Sequence, residues 1–111
     1  MTRSELIEAV ITDLTTELED TPNFSPDKLS LKVNNAVTEI EELRNYPKGY
    51  SETKISEDLT RFRTAIYKLA LYDYARIGAY GESSHSENGT SRGYVDRDKL
   101  LSQVLPLGRV L

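Results

Sequence analysis

The stretch from Leu59 to Ile77, LTRFRTAIYKLALYDYARI, constrains this chain more than any other part of it. Leu59, Phe62, Ile66 and Leu69 fall on one helical stripe, and Tyr67, Ala70, Leu71 and Tyr74 fall on a second. A helix apolar on most of its sides must be covered from several directions, by its own bundle or by another subunit. From Glu57 to Ile77 it would span roughly 32 Å, the height of a small domain. The spacing favours Ser56 over Ser51 as its N-cap, and Gly78 is its natural end. The reading is therefore all-α, with the remaining segments expected to supply the cover.

Two amphipathic helices precede it. Thr2-Arg3-Ser4-Glu5 fits a capping box, in which the Thr2 hydroxyl and the Glu5 carboxylate answer each other's backbone donors. Leu6, Val10, Leu14 and Leu18 then recur every four residues with Ile7 and Ile11 beside them, until Thr21, which precedes Pro22, is pushed out of the helical region and ends the helix near Asp20. Ser25-Pro26-Asp27 is a second start, with a capping hydroxyl, a proline whose missing donor costs nothing, and an acid at the positive helix end. Leu29, Val33, Ala36, Val37, Ile40 and Leu43 follow at helical spacing, Leu31 lies off the stripe, and Asn45 to Gly49 collects turn formers.

Beyond the central helix the composition turns polar. Residues 78–93, GAYGESSHSENGTSRG, have little to bury, and a connection this long is uncommon inside a compact domain unless it carries an interaction. Asp96 is a plausible cap for a last short helix whose Leu100, Leu101, Val104 and Leu105 share a face before Pro106. The length of 111 residues predicts one domain. The expected architecture is a small bundle of three to four helices over residues 1–105, with a long polar loop at 78–94 before the last helix and an extended C-terminal tail over 106–111.

Chemistry is scarce. A net charge of −4 disfavours general nucleic-acid binding, and the absence of Cys removes disulfides, thiolate zinc sites and cysteine nucleophiles. No apolar run approaches a membrane span and Met1 to Val10 lacks a signal-peptide pattern, so a soluble protein made in the cytosol is expected. No acids bracket His85 at metal-ligand spacing, and Ser83, Ser84, His85 and Ser86 are too close in sequence to aim at one another as nucleophile and base. The glycine- and serine-rich stretch lacks the Gly-Lys-Ser/Thr of a phosphate loop. Asp73, the one acid inside the apolar stretch, is expected to be paired, with Arg76 or Arg92 as partner, in a structural contact that pins the loop to the helix. Five of the seven tyrosines lie between Tyr67 and Tyr94, a pattern of core edges and interfaces. Residues 1–60 hold thirteen acids and six bases (net −7), and residues 61–111 hold five acids and eight bases (net +3). Solvated helix faces account for such a split as well as self-complementarity does, the latter being the head-to-tail contact that closes rings.

Leu71-Tyr72-Asp73-Tyr74, Gly78, Gly81-Glu82 and the run from Ser84 to Tyr94, SHSENGTSRGY, resemble the head-tail connector family of long-tailed phages, most specifically in Ser-Glu-Asn-Gly-x-Ser-Arg. The likeness extends to the order of helices and to Leu100-Leu101 and Val104-x-Pro106, while the N-terminal half resembles the family only in amphipathic pattern. It implies a virion protein of the head-tail interface, assembled in the host cytoplasm, without enzyme activity, cofactor, metal or membrane. Its implied partners are itself, in a ring commonly twelve-fold in virions; the portal protein; and a head-tail stopper or other neck protein. DNA would pass along the channel without specific binding. The tail, with Leu105, Leu107, Arg109, Val110 and Leu111, would reach the portal; Ser84, His85, Glu87, Asn88, Arg92 and Tyr94 would face a neighbouring subunit or the channel. The alternative function is a small helical protein-binding regulatory or adaptor module acting as monomer or dimer.

Overall fold

A computed structural model describes residues 1–76 and 97–106. Four helices are formed: α1 (Arg3–Leu18), α2 (Pro26–Arg44), α3 (Glu52–Arg61) and α4 (Arg63–Ala75). A further short helix covers residues 97–102, and no strand occurs among the described residues. The fold is the all-α bundle that the periodicity predicts. The expected loop at 78–94 and the tail from residue 107 lie outside the described residues.

Local chemistry sets most helix ends. Thr2 caps α1 in a full capping box: its hydroxyl accepts from the Glu5 N–H at 3.1 Å, and its own N–H donates to Glu5 Oε1 at 2.7 Å. Ser25 caps α2 ahead of Pro26, accepting from the Lys28 N–H. Asn45 then ends α2 in the left-handed region, at φ 51°, a conformation that asparagine tolerates better than most residues.

Each of the four helices touches the other three, and α2 packs most extensively on α4. Arg3 at the start of α1 pairs with Glu41 near the end of α2 at 3.0 Å, so these two helices run antiparallel. The core holds Leu6, Ile7, Val10 and Leu14 from α1, Leu29, Val33, Ala36, Val37 and Ile40 from α2, Leu59 from α3, and Ile66, Leu69 and Ala70 from α4, joined by Val104. The second stripe, Tyr67, Leu71 and Tyr74, packs half-buried against it. Leu31, off the stripe, is exposed.

Three expectations are corrected. The central stretch is not one helix: α3 starts after Ser51, whose hydroxyl accepts from the Lys54 N–H, and ends at Phe62, where α4 begins without a side-chain cap. Residues 60–63 contain no glycine or proline, so the interruption has a tertiary cause. The Phe62 ring packs against the core and carries the Arg44 guanidinium 5.0 Å from its centroid, while the Phe62 N–H turns back to the Leu59 carbonyl. Secondly, the last helix does not run to Pro106. It stops at residue 102; Val104 enters the core, and Leu105 is 65% exposed instead of sharing a buried face with Leu100 and Leu101. Thirdly, the partner the structure gives Asp73 is Arg97, described below.

Candidate functional site

Two arginine clamps form the most developed polar architecture among the described residues, and both act on the C-terminal segment. The first is built where α2 ends. Arg44 grips Asp58 of α3 with two parallel bonds, Nε to Oδ2 at 2.7 Å and Nη2 to Oδ1 at 2.8 Å, and the Tyr46 hydroxyl donates to Oδ2 at 2.7 Å. Arg44 and Asp58 are the only buried charged residues in the described part of the chain. The remaining guanidinium nitrogen, Nη1, donates to the Leu105 carbonyl at 2.8 Å. One arginine thus ties together α2, α3 and the chain just before Pro106.

Electrostatics follow from this geometry. Burial pushes the Asp58 carboxyl upward, but hydrogen bonds from Arg44 and then Tyr46, with the nearby positive charge, win and hold it below the usual carboxylate range. Tyr46 is pushed well above a normal phenol, first by burial and then by its bond to the Asp58 carboxylate. The bond to Asp58 also raises Arg44 against the opposing effect of burial. A charge pair this enclosed needs every donor placed, and no buried side-chain polar atom is left without a partner among the described residues.

The second clamp is Arg97, at the start of the described C-terminal segment. Its Nη1 and Nη2 donate to Glu39 of α2 at 3.0 and 2.7 Å, and its Nε and Nη2 donate to Asp73 of α4 at 2.9 and 3.1 Å. Bonds to Asp73, then to Glu39, raise the guanidinium further above its ordinary value. Asp73 is therefore in a structural ion pair, as its position inside an apolar helix requires, but with a residue 24 positions onward. Arg76 bonds the Tyr72 hydroxyl at 3.0 Å and lies over its ring. Arg92, the other expected partner, lies outside the described residues, as do Ser84, His85, Glu87, Asn88, Tyr94, Leu107, Arg109, Val110 and Leu111.

Sequence reasoning missed Arg44, Asp58, Tyr46, Glu39 and Arg97 as a group. An arginine in the last helical turn reads as a partner of the helix dipole, and Arg97 as an ordinary surface charge. The available signal was Asp58: it sits directly before Leu59 on the apolar stripe, where an acid needs a partner.

Elsewhere, an open cleft of about 610 Å³ lies between the starts of α1 and α3, with Glu5, Glu41, Glu52, Glu57 and Ile55 in its lining. Glu5 is engaged in the capping box and Glu41 with Arg3, so these carboxylates do not converge. No group of three or more His, Cys, Asp or Glu among the described residues is arranged to hold a metal ion. No helix among them is long and apolar enough to cross a membrane. What the clamps do chemically is fasten chain: they hold residues 97–106 to α2 and α4, and Val104 roots the segment in the core. No family model, curated protein or solved structure matches this chain.

Proposed function

We propose that this chain is a structural head-tail connector of a tailed phage, which assembles as a ring under the portal, extends the DNA channel and offers a docking surface to a head-tail stopper or other neck protein. The sequence resemblance suggests the role. The observation that carries it is the double clamp: Arg97 on Glu39 and Asp73, and Arg44 on the Leu105 carbonyl, give the run beyond Pro106 a fixed root on the body. A contact arm on a rigid root loses less entropy when it meets a partner than one hung from a loose chain.

In this reading Leu105, Leu107, Arg109, Val110 and Leu111 form the arm that clasps the portal, as an apolar strip in pockets or as an added strand. The residues from Ser84 to Tyr94 face a neighbouring copy or the channel. A net charge of −4 suits a conduit, since an acidic wall repels phosphate where a basic wall would hold it.

The test is deletion of Leu107 to Leu111. The shortened chain is expected to keep its helical circular dichroism and its unfolding midpoint, and to stop sedimenting with portal rings. Portal attachment by the folded, shortened chain would reject the arm as the anchor. DNA-filled heads without tails, or heads that have leaked their DNA, are the expected phenotype of a phage lacking the protein.

A further inference from the structure

The described chain leaves α4 at Arg76 and resumes at Arg97, whose guanidinium is bonded to Asp73, within one helical turn of the exit. Two points this close need little chain between them, and helix-to-helix connections in bundles usually take about 2 to 8 residues. Twenty are used here, residues 77–96. Fully extended, they reach roughly 66 to 72 Å, beyond the 47 Å longest dimension of the molecule.

What resumes is a short strap, residues 97–106, on a well-defined seat. Arg97 enters Glu39 and Asp73, Val104 fills a place in the core, and the Leu105 carbonyl accepts from Arg44. The polar seat residues, Glu39, Arg44 and Asp73, belong to α2 and α4. The same seat on another copy offers the strap the same bonds and the same apolar slot, so moving the strap from one copy to the next loses none of these contacts.

We propose that in the assembled ring the strap of each copy occupies the seat of the adjacent copy. The contact is heterologous, strap to seat, and a chain of such contacts closes into a ring when the rotation between copies allows. In the free chain the tether keeps the strap at high effective concentration beside its own seat, and the closed form prevails. In a ring the neighbouring seat is held at a comparable local concentration, and the long connection lets the strap cross to it. The inference rests on the connector reading for the ring itself, and it names the surface that joins the copies.

The test uses charge reversal in two separate chains: Arg97→Glu in the strap of one, and Glu39→Arg with Asp73→Arg in the seat of the other. Each chain alone places like charges together whether the strap is closed or exchanged, and its ring yield in native mass spectrometry is expected to fall about tenfold or more. Mixing the two chains restores rings containing equal numbers of each, because in an exchanged ring every reversed strap meets a reversed seat. A mixture no better than its components, or wild-type ring yield from either chain alone, overturns the exchange. Should either chain fail to fold by circular dichroism, a chain with Arg97→Cys and Glu39→Cys decides instead, these being its only thiols. A short bis-thiol cross-linker on its rings is expected to give covalent multimers on a denaturing gel, and cross-linked monomers would reject the exchange. Rings of wild-type protein with straps closed leave the connector reading intact; absence of wild-type rings, with or without portal, removes both.

Discussion

Asp58 is the residue on which the body depends most for its polar order. Removing it by Asp58→Ala leaves Arg44 enclosed without a counter-charge and is expected to cost about 3 to 5 kcal/mol in urea denaturation. Replacing the pair together, by Arg44→Met with Asp58→Leu, should cost clearly less than that single change, because no charge is then stranded. The same cluster sets the pH range of stability. The folded Asp58 carboxyl lies below its unfolded value, so its contribution is complete above about pH 4 and is lost as pH falls through the folded value. Tyr46 is the reverse case: its folded value lies above the unfolded phenol, so its contribution is complete below about pH 10 and is lost as pH rises beyond that. Unfolding free energy should form a plateau between these limits, and Tyr46→Phe should flatten the alkaline limb and, by removing one of the two bonds that lower Asp58, shrink the acid limb without abolishing it. At Asn45, where φ is 51°, substitution by Val is expected to cost about 1 to 2 kcal/mol, whereas Gly is tolerated. The caps at Thr2 and Ser25 were legible in the sequence because a cap is settled within four residues. The clamps were not, since Arg97 meets Glu39 across 58 positions and Asp73 across 24, and no local pattern encodes such a meeting.

Among the elements, α1 and α2 follow their periodicity closely, with the apolar stripe inside and Leu31 outside, as the spacing requires. The region from Ser51 to Ala75 shows what periodicity leaves open. Its apolar residues are on the face expected of them, yet the helix is divided at Phe62, where aromatic packing and the overlying Arg44 outweigh local helix preference. Phe62→Ala removes the ring under that guanidinium and should destabilise the bundle by about 2 to 4 kcal/mol, with part of the loss read in a double-mutant cycle with Arg44→Met. The terminal helix illustrates the opposite error. Pro106 suggested the stop, but the last turn ends at residue 102, because burying Val104 in the core and presenting the Leu105 carbonyl to Arg44 satisfies the segment better than another turn would. Val104→Ala should cost about 1 to 2 kcal/mol and should raise amide exchange in residues 97–106 more than in α1.

At the scale of the molecule, the described body is long and thin, 47 × 30 × 17 Å, and the charge of the full sequence is divided, net −7 over residues 1–60 and net +3 over residues 61–111. If copies are joined strap to seat, the joining contacts include the ion pairs of Arg97 with Glu39 and Asp73, and ring mass by light scattering is expected to fall as salt rises. Salt-independent assembly would point to an interface held by apolar contact alone. The same arginine that closes the α2–α3 corner also holds the carbonyl just before Pro106. Interior scaffolding and the hold on Leu105 are therefore set by a single side chain, so a substitution at the α2–α3 corner reaches the end of the described chain as well.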